Sequence, residues 1–396
     1  MSRRVVSGVA FAAALATPLA LAGTAGASPA NSGVEHRSAR VCGTPAAGYA
    51  ACQAFVRVNA KGQPAATAGP AGYGPADLQS AYALTTAASS AGAGQTIAIV
   101  DAYNDPNAES DLGVYRSTYG LSACTTANGC FKKVNQNGVQ GSYPKNDAGW
   151  SQEISLDLDM ASAICPNCKI LLVEASTPSF ANLGTAVNTA AALGAQAISN
   201  SYGGSDASDA NYGKYYNHPG SAITVSSGDN GYGVEYPASS QYVTAVGGTH
   251  LTRSNTTRGW SESVWSGAGS GCSAYNVKPS WQTDSGCAKR TVADVSAVAD
   301  PNTGVAVYDS FAYRGTSGWL VFGGTSVSAP IIAGVYALAG NGASVNYGSY
   351  PYSHTASLND VTSGSNGTCG TAYLCTGVTG YDGPTGLGTP NGTGGF

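Results

Sequence analysis

Four positions in this chain of 396 residues carry side chains whose types and spacing suit nucleophilic and acid–base chemistry. Glu153 and Asp157 stand four apart in WSQEISLDLDMASAI. On a helix that spacing puts both carboxylates on one face, with Cβ atoms roughly 5–6 Å apart. In a desolvated cleft two such groups cannot both ionise freely, and a pair sharing one proton is a general base of tunable strength. Taken alone, such a pair is far more often a solvated acidic helix face. Ser326 lies in FGGTSVSAP, where a serine near a helix start has the macrodipole favouring negative charge beside it. Pro330 fits near that start, where a missing N–H costs least, or one turn in with a bend. Asp229 lies in SSGDNG, after an apolar run. A neutral carboxylic acid there can donate a hydrogen bond to a developing oxyanion, and an ionised one cannot. The same hexapeptide also suits an Asx-turn.

The elements that must position these residues follow from periodicity. GPADLQSAYAL (74–84) begins a helical pattern, and QTIAIVDAY (95–103) is a short apolar run of the kind that forms a buried parallel strand. Ile154, Leu158, Ala161 and Ile164 recur at helical spacing. KILLVEA reads as a strand, FANLGTAVNTAAALG as a helix, AQAISNSYGG as a strand, and AITVSSGDNG as a strand with its loop. This alternation predicts an α/β fold with a doubly wound, mostly parallel sheet and helices on both faces. Ligands of such sheets sit beyond the carboxyl ends of the strands, where Asp101, Ser201 and Asp229 fall.

Glu-x-x-x-Asp, then S-S-G-D-x-G, then G-G-T-S-x-x-x-P, in that order, resembles the sedolisins, or serine-carboxyl peptidases, which have a subtilisin-like fold. LDLDMASAICPNCKILLVEA, ISNSYG and VTAVGGTHL add to the likeness, which runs from about residue 74 to 392. The resemblance implies that Ser326 is the nucleophile, Glu153 the general base and acid, Asp157 its proton-sharing partner, and Asp229 the oxyanion donor. It implies peptide or protein substrates, cleaved best in acid and laid as an extra strand along Ser201, Tyr202 and Gly203. Endopeptidase and tripeptidyl-peptidase action both stay open, as does a catalytically silent binding protein on the same scaffold. LNDVTSGSNG and GVTGYDGPTGLGTPNG resemble the family's calcium loops. They imply one Ca²⁺ held by the carboxylates of Asp360 and Asp382 and the carbonyls of Val361, Val378 and Gly380, hard oxygens on glycine-rich loops.

The chain also departs from the pattern. Ser155 stands where relatives often carry another acid. None of the four histidines, His36, His218, His250 and His354, has the His-Gly-Thr-His setting of an ordinary subtilisin. Asp101 is expected to play at most a supporting polar role. Relatives usually carry a long folded pro-domain, whereas here fewer than about 50 residues separate the expected signal cleavage site from the helix at 74.

Composition bounds the remainder. Only 10% of residues are charged, against about a quarter in average soluble domains, so the surface is neutral and polar. Few ionised carboxylates make such a chain compatible with acid. A formal charge of −4 gives no basic patch for nucleic acid, and no basic amphipathic helix favours a membrane surface. A basic start, an apolar run and Ala25-Gly26-Ala27 read as a signal peptide over 1–27, and Arg3-Arg4 partly resembles a twin-arginine signal. Residues 28–72 read as a short pre-segment and linker, and 73–396 as the peptidase domain, exported and monomeric. Ten cysteines fall in neighbouring couples, as a disulfide framework in an exported chain would.

Overall fold

The computed structural model describes residues 1–2 and 36–396; the expected signal peptide lies outside the described residues apart from its first two. The central sheet has the spatial order Trp260–Val264, Thr244–Arg253, Ala222–Ser226, Ala197–Asn200, Thr96–Ala102, Lys169–Ala175 and Phe131–Asn135. Neighbours are parallel except for Trp260–Val264, which folds back antiparallel on Thr244–Arg253. Val295–Val298 pairs in parallel with Thr244–Arg253 as well. Every residue of Thr96–Ala102 after the first is buried, so both faces of the sheet are covered, as its unbroken apolar pattern requires. That strand sits between Lys169–Ala175 and Ala197–Asn200, where the winding changes direction. The crevice beyond its carboxyl end is therefore the place for a ligand.

Two central helices frame the crevice. Ala148–Ile164, the acid helix, starts where the Asp147 side chain accepts from Gly149 N and Trp150 N at 3.1 Å each. It is buried at every residue from Trp150 to Ile164, acids included. Thr325–Ala339, the serine helix, is buried from Thr325 to Leu338 and packs on the acid helix and on parallel strands of the central sheet. Gly324 caps it at φ +102°, a conformation that suits glycine. Pro330 lies one turn in, the second of the two placements its sequence allows. Having no N–H, it leaves the carbonyl of Ser326 without its helical partner, and Ser201 Oγ donates to that oxygen at 3.4 Å.

Residues 36–72 differ from the expected linker. Ser38–Arg40 and Phe55–Arg57 join Thr316–Gly323 and Val305–Tyr313 in a four-stranded antiparallel sheet. Ala51–Cys52 pairs with Tyr202–Ser205, which pairs in turn with Glu235–Tyr236. The Ala, Gly and Pro content of the segment hides these strands because each is only two or three residues long. All ten cysteines pair with their sequence neighbours: Cys42–Cys52, Cys124–Cys130, Cys165–Cys168, Cys272–Cys287 and Cys369–Cys375. Among the described residues no helix is long and apolar enough to cross a membrane.

Candidate active site

The tertiary structure brings Ser326, Glu153, Asp157 and Asp229 to one buried crevice. Ser326 is fully buried at the second position of its helix, and its Oγ donates to the Ser201 carbonyl at 3.2 Å. The carboxyl oxygens of Glu153 and Asp157 are left without hydrogen bonds of ordinary geometry, although both side chains are completely buried. Burial pushes the Glu153 carboxyl well above its usual range, and the nearby carboxylates of Asp157 and Asp101 push it further, while the neighbouring Ser326 hydroxyl pulls it back. Burial and then Asp101 raise Asp157 likewise, against the Ser201 hydroxyl. Burial and mutual repulsion thus favour a pair that shares a proton over one that is fully ionised, and the Ser326 hydroxyl adjoins Glu153 while resting on the Ser201 carbonyl.

Asp229 has a two-sided environment. Its Oδ1 accepts from Thr325 N at 2.7 Å and Thr325 Oγ1 at 2.8 Å, while its Oδ2 is buried with no partner. Burial raises its pKa to about 7, against those two hydrogen bonds and Arg40. With Oδ1 saturated by donors, the proton of the neutral acid belongs on Oδ2. That oxygen faces the serine corner: a Cβ placed on Gly324 would lie 2.6 Å from it and 2.2 Å from the carbonyl oxygen of Gln53. The same Gln53 oxygen accepts from Ser326 N at 2.9 Å. The Ser326 N–H therefore holds this peptide carbonyl, and the unpartnered Oδ2 of Asp229 stands at the same corner.

Several neighbours are weakly signalled or unsignalled in the sequence. Asp101, at the carboxyl end of the central strand, is fully buried with both oxygens unpartnered, and burial and Glu174 push it up to about 8. It pairs across the sheet with Glu174, which meets Lys133 Nζ at 2.9 Å. The acids thus run from the serine corner through Asp157, Asp101 and Glu174 to a lysine near the surface, a continuity that no local motif reveals. Ser155 Oγ lies 3.4 Å from Asp105, so a further acid at 155 would face an acid already there. Glu235, six residues after Asp229, and Gln53, next to a disulfide cysteine, meet at the same corner. The histidines are engaged elsewhere: His218 with Asn188 Oδ1, His250 with Asp300, His354 stacked on Tyr350, and His36 through its backbone with Asn302.

The edge expected to bind substrate is paired with a segment of the chain itself. Gly203 and Tyr202 pair with Ala51 and Cys52 of the chain itself, and Ser201 O accepts from Gln53 N at 3.1 Å. Tyr202 is fully buried, its hydroxyl donating to Asn200 Oδ1 at 2.8 Å, so its backbone faces the cleft while its ring belongs to the core.

At the far loops Asp360 Oδ2 accepts from Gly380 N at 2.9 Å and Asp382 Oδ2 from Val378 N at 3.2 Å, while Thr385 holds Asp382 Oδ1. Burial pushes the Asp382 carboxyl up to about 7, and the charge of Asp360 adds to the rise. Among the described residues no cluster of three or more His, Cys, Asp or Glu could hold a metal. A cation here would rest on two carboxylates and on carbonyls of Val361, Val378 and Gly380, a hard donor set that fits calcium and would relieve the repulsion.

Residues 139–356, over half of the chain, match the subtilase family. Kumamolisin of Bacillus sp. (strain MN-32) is 29% identical over 364 residues, 82% of this chain and 63% of that protein. Sedolisin of Pseudomonas sp. (strain 101) is 34% identical over 203 residues, 43% of this chain and 33% of that protein. The solved structure of Pseudomonas sedolisin, a serine-carboxyl proteinase complexed with two molecules of pseudo-iodotyrostatin, aligns with a TM-score of 0.66 at 28% identity, covering 82% of this chain and 96% of that one. Sphericase, at 17% identity and a TM-score of 0.52, shares the fold. A subtilisin-like sheet with a serine helix and an acid helix defines the class, and the chain belongs to the subtilase family, in its sedolisin branch. It spans less than two thirds of the length of these curated relatives.

Proposed function

We propose that this chain is an exported serine-carboxyl endopeptidase that hydrolyses peptide bonds of protein and peptide substrates in acid. The observation that supports it most is the peptide carbonyl held by Ser326 N at a corner that also carries the unpartnered Oδ2 of Asp229, with the serine hydroxyl beside Glu153. In this reading Ser326 Oγ attacks the substrate carbonyl and its proton passes to Glu153. Asp157 shares that proton, so that Glu153 need not bear it alone in a buried site. Negative charge on the carbonyl oxygen is met by Ser326 N–H and by neutral Asp229, and Glu153 then protonates the leaving amine. Water reverses the sequence on the acyl-enzyme.

Endopeptidase rather than tripeptidyl action is supported by how far the cleft runs. On the acyl side the occupying strand continues past three residues, with Ala50 N donating to Pro178 O at 2.7 Å and Phe180 N to Gly48 O at 3.1 Å. Calcium, when bound by Asp360 and Asp382, supplies charge compensation that ties the two C-terminal loops together. The test is hydrolysis of casein and of an internally quenched peptide across acid to neutral pH, with wild type, Ser326→Ala and Glu153→Gln. Activity in acid that both substitutions remove is the expected result. Equal behaviour of wild type and Ser326→Ala at every pH would leave the catalytically silent binding protein as the correct reading.

A further inference from the structure

Beyond the acid pair lies a set of buried groups that the proposed mechanism does not use. Asp101 is fully buried with both oxygens unpartnered, and it pairs in parallel register with Glu174 of Lys169–Ala175. Residues in register on neighbouring parallel strands project to the same face of the sheet, so the two carboxyls lie side by side. Glu174 is fully buried too, and its oxygens differ. Oε1 meets Lys133 Nζ at 2.9 Å and accepts from Asp105 N at 3.0 Å, while Oε2 has no partner. The other two protons of the Lys133 ammonium go to Asn104 Oδ1 and to the Asp105 carbonyl, at 2.5 Å each. Its nitrogen stands 4.6 Å from the centre of the Tyr143 ring, beside a cavity of about 340 Å³ lined in part by Asn104, Glu109 and Gln140. The 2.9 Å contact suits an ion pair or a neutral acid accepting from an ammonium. An ion pair would leave a charged oxygen, Oε2, buried with no donor, which is the costlier arrangement. With Oε1 saturated by donors, a proton on Oε2 satisfies Glu174 and is available to Asp101 beside it. Burial pushes Glu174 up to about 7 even against the Lys133 charge, in agreement.

We propose that Lys133 and Glu174 are positioning residues for the reaction: they order a file of hydrogen bonds, from Lys133 through Glu174 and Asp101 to Asp157, that brings the influence of a positive charge to the acid pair. The inference rests on the peptidase reading above. Neutral Glu174 donates from Oε2 to one oxygen of Asp101, and neutral Asp101 donates from its other oxygen to Asp157. A base must leave Glu153 and Asp157 with one proton between them. The negative charge is then met at the Asp157 end by a donor that the ammonium, two carboxyls away, polarises. The other groups facing the file bring no positive charge. Asp105 adjoins Glu174, with Asp111 and Asp309 near it, while Glu153 and Asp157 face Asp101 from the acid helix and Tyr202 from the substrate edge. Among the described residues Lys133 is the cation that meets the file. A cation favours the ionised form of the acids it faces, so without it the acid pair holds its second proton to higher pH.

The test is the pH profile of kcat/KM on a quenched peptide for the full chain, as wild type, Lys133→Met, Lys133→Arg, Glu174→Met and Glu174→Gln. Lys133→Met should move the acid limb, where the base gains its second proton, upward by about half a pH unit or more, with KM at the optimum unchanged. Lys133→Arg keeps the charge and should hold the limb at the wild-type position. Glu174→Met breaks the file and should move the limb upward as well. Glu174→Gln keeps an acceptor for Lys133 and a donor for Asp101, and should leave it in place. A melting temperature lowered by either methionine substitution, with the acid limb unmoved, makes the cluster structural only and overturns the inference. A limb displaced by Glu174→Gln overturns it too, since Glu174 would then be ionised. Infrared difference spectra in acid, wild type against Glu174→Gln, give a readout free of activity. The carbonyl band of a protonated carboxyl should be lost with the substitution, and no such loss overturns the file. If wild type hydrolyses nothing at any pH, the peptidase reading falls and the infrared band decides the file by itself.

Discussion

Glu153 works, in the proposed mechanism, because it is buried next to other acids rather than in spite of it. Replacing its carboxyl by an amide keeps the shape and removes the proton acceptor, so Glu153→Gln should lower kcat about 10²–10⁴-fold with little change in KM. Steady-state kinetics on a quenched peptide check this. Asp229 sets the other limit. Its carboxyl is raised to about 7 and donates only while protonated, so activity should be full below that pH and fall as pH rises through it. Asp229→Asn replaces the acid with a donor that does not titrate, and the fall near pH 7 should vanish from the pH–rate profile even if the acid-side maximum is lower. The individual residues were legible as candidates because each sits in a short motif. Gln53 and Glu235 were not, because their meeting joins positions 182 residues apart.

At the scale of elements, the site depends on two helices whose every face is buried, and on the strands that hold them in register. Asp294 fixes part of that frame: Ala245 N donates to its Oδ2 at 2.7 Å, tying Thr244–Arg253 to the strand that follows Asp294. Arg290 meets both Asp294 oxygens, at 2.8 and 2.5 Å, with both side chains fully buried. Removing the guanidinium leaves an unpaired buried carboxylate, so Arg290→Met should destabilise the fold by about 3–5 kcal/mol in denaturant titration. Adding Asp294→Asn to it should recover part of that loss. The long strands and helices were readable from periodicity because they are long and uniformly apolar. The short strands in 36–72 were not, since pairing partners far along the chain, and not local propensity, define them.

The whole molecule stores protons. Burial raises Asp105, Asp229, Glu174 and Glu235 to about 7 and Asp101 and Asp309 to about 8. Above their ordinary range and below those values, the folded chain binds protons that the unfolded chain has lost. Their contribution is therefore fully present below about pH 4 and lost as pH rises through 7 to 8, and each tenfold gain in proton affinity on folding is worth about 1.4 kcal/mol. Melting temperature, measured by calorimetry at fixed calcium, should accordingly fall by several degrees or more between pH 4 and pH 8, against the usual trend for soluble proteins. Chelation adds a second whole-molecule test. If Asp360 and Asp382 hold calcium, excess EGTA should lower the melting temperature of wild type and leave that of Asp360→Ala unchanged.

From the sequence alone came the chemistry available and the scaffold that carries it: a serine, an acid pair and a lone aspartate on the loops and helices of a parallel α/β sheet. Those follow from local spacing, from unbroken apolar runs and from the 3.6-residue helical period, which are short-range properties of the chain. Tertiary structure alone decided that Asp101 and Glu174 continue the acid pair, that Asp229 turns an unpaired oxygen toward the serine corner, and that residues 48–54 occupy the cleft. Each of these is a contact between distant segments, created by desolvation and strand pairing that no neighbouring residue encodes.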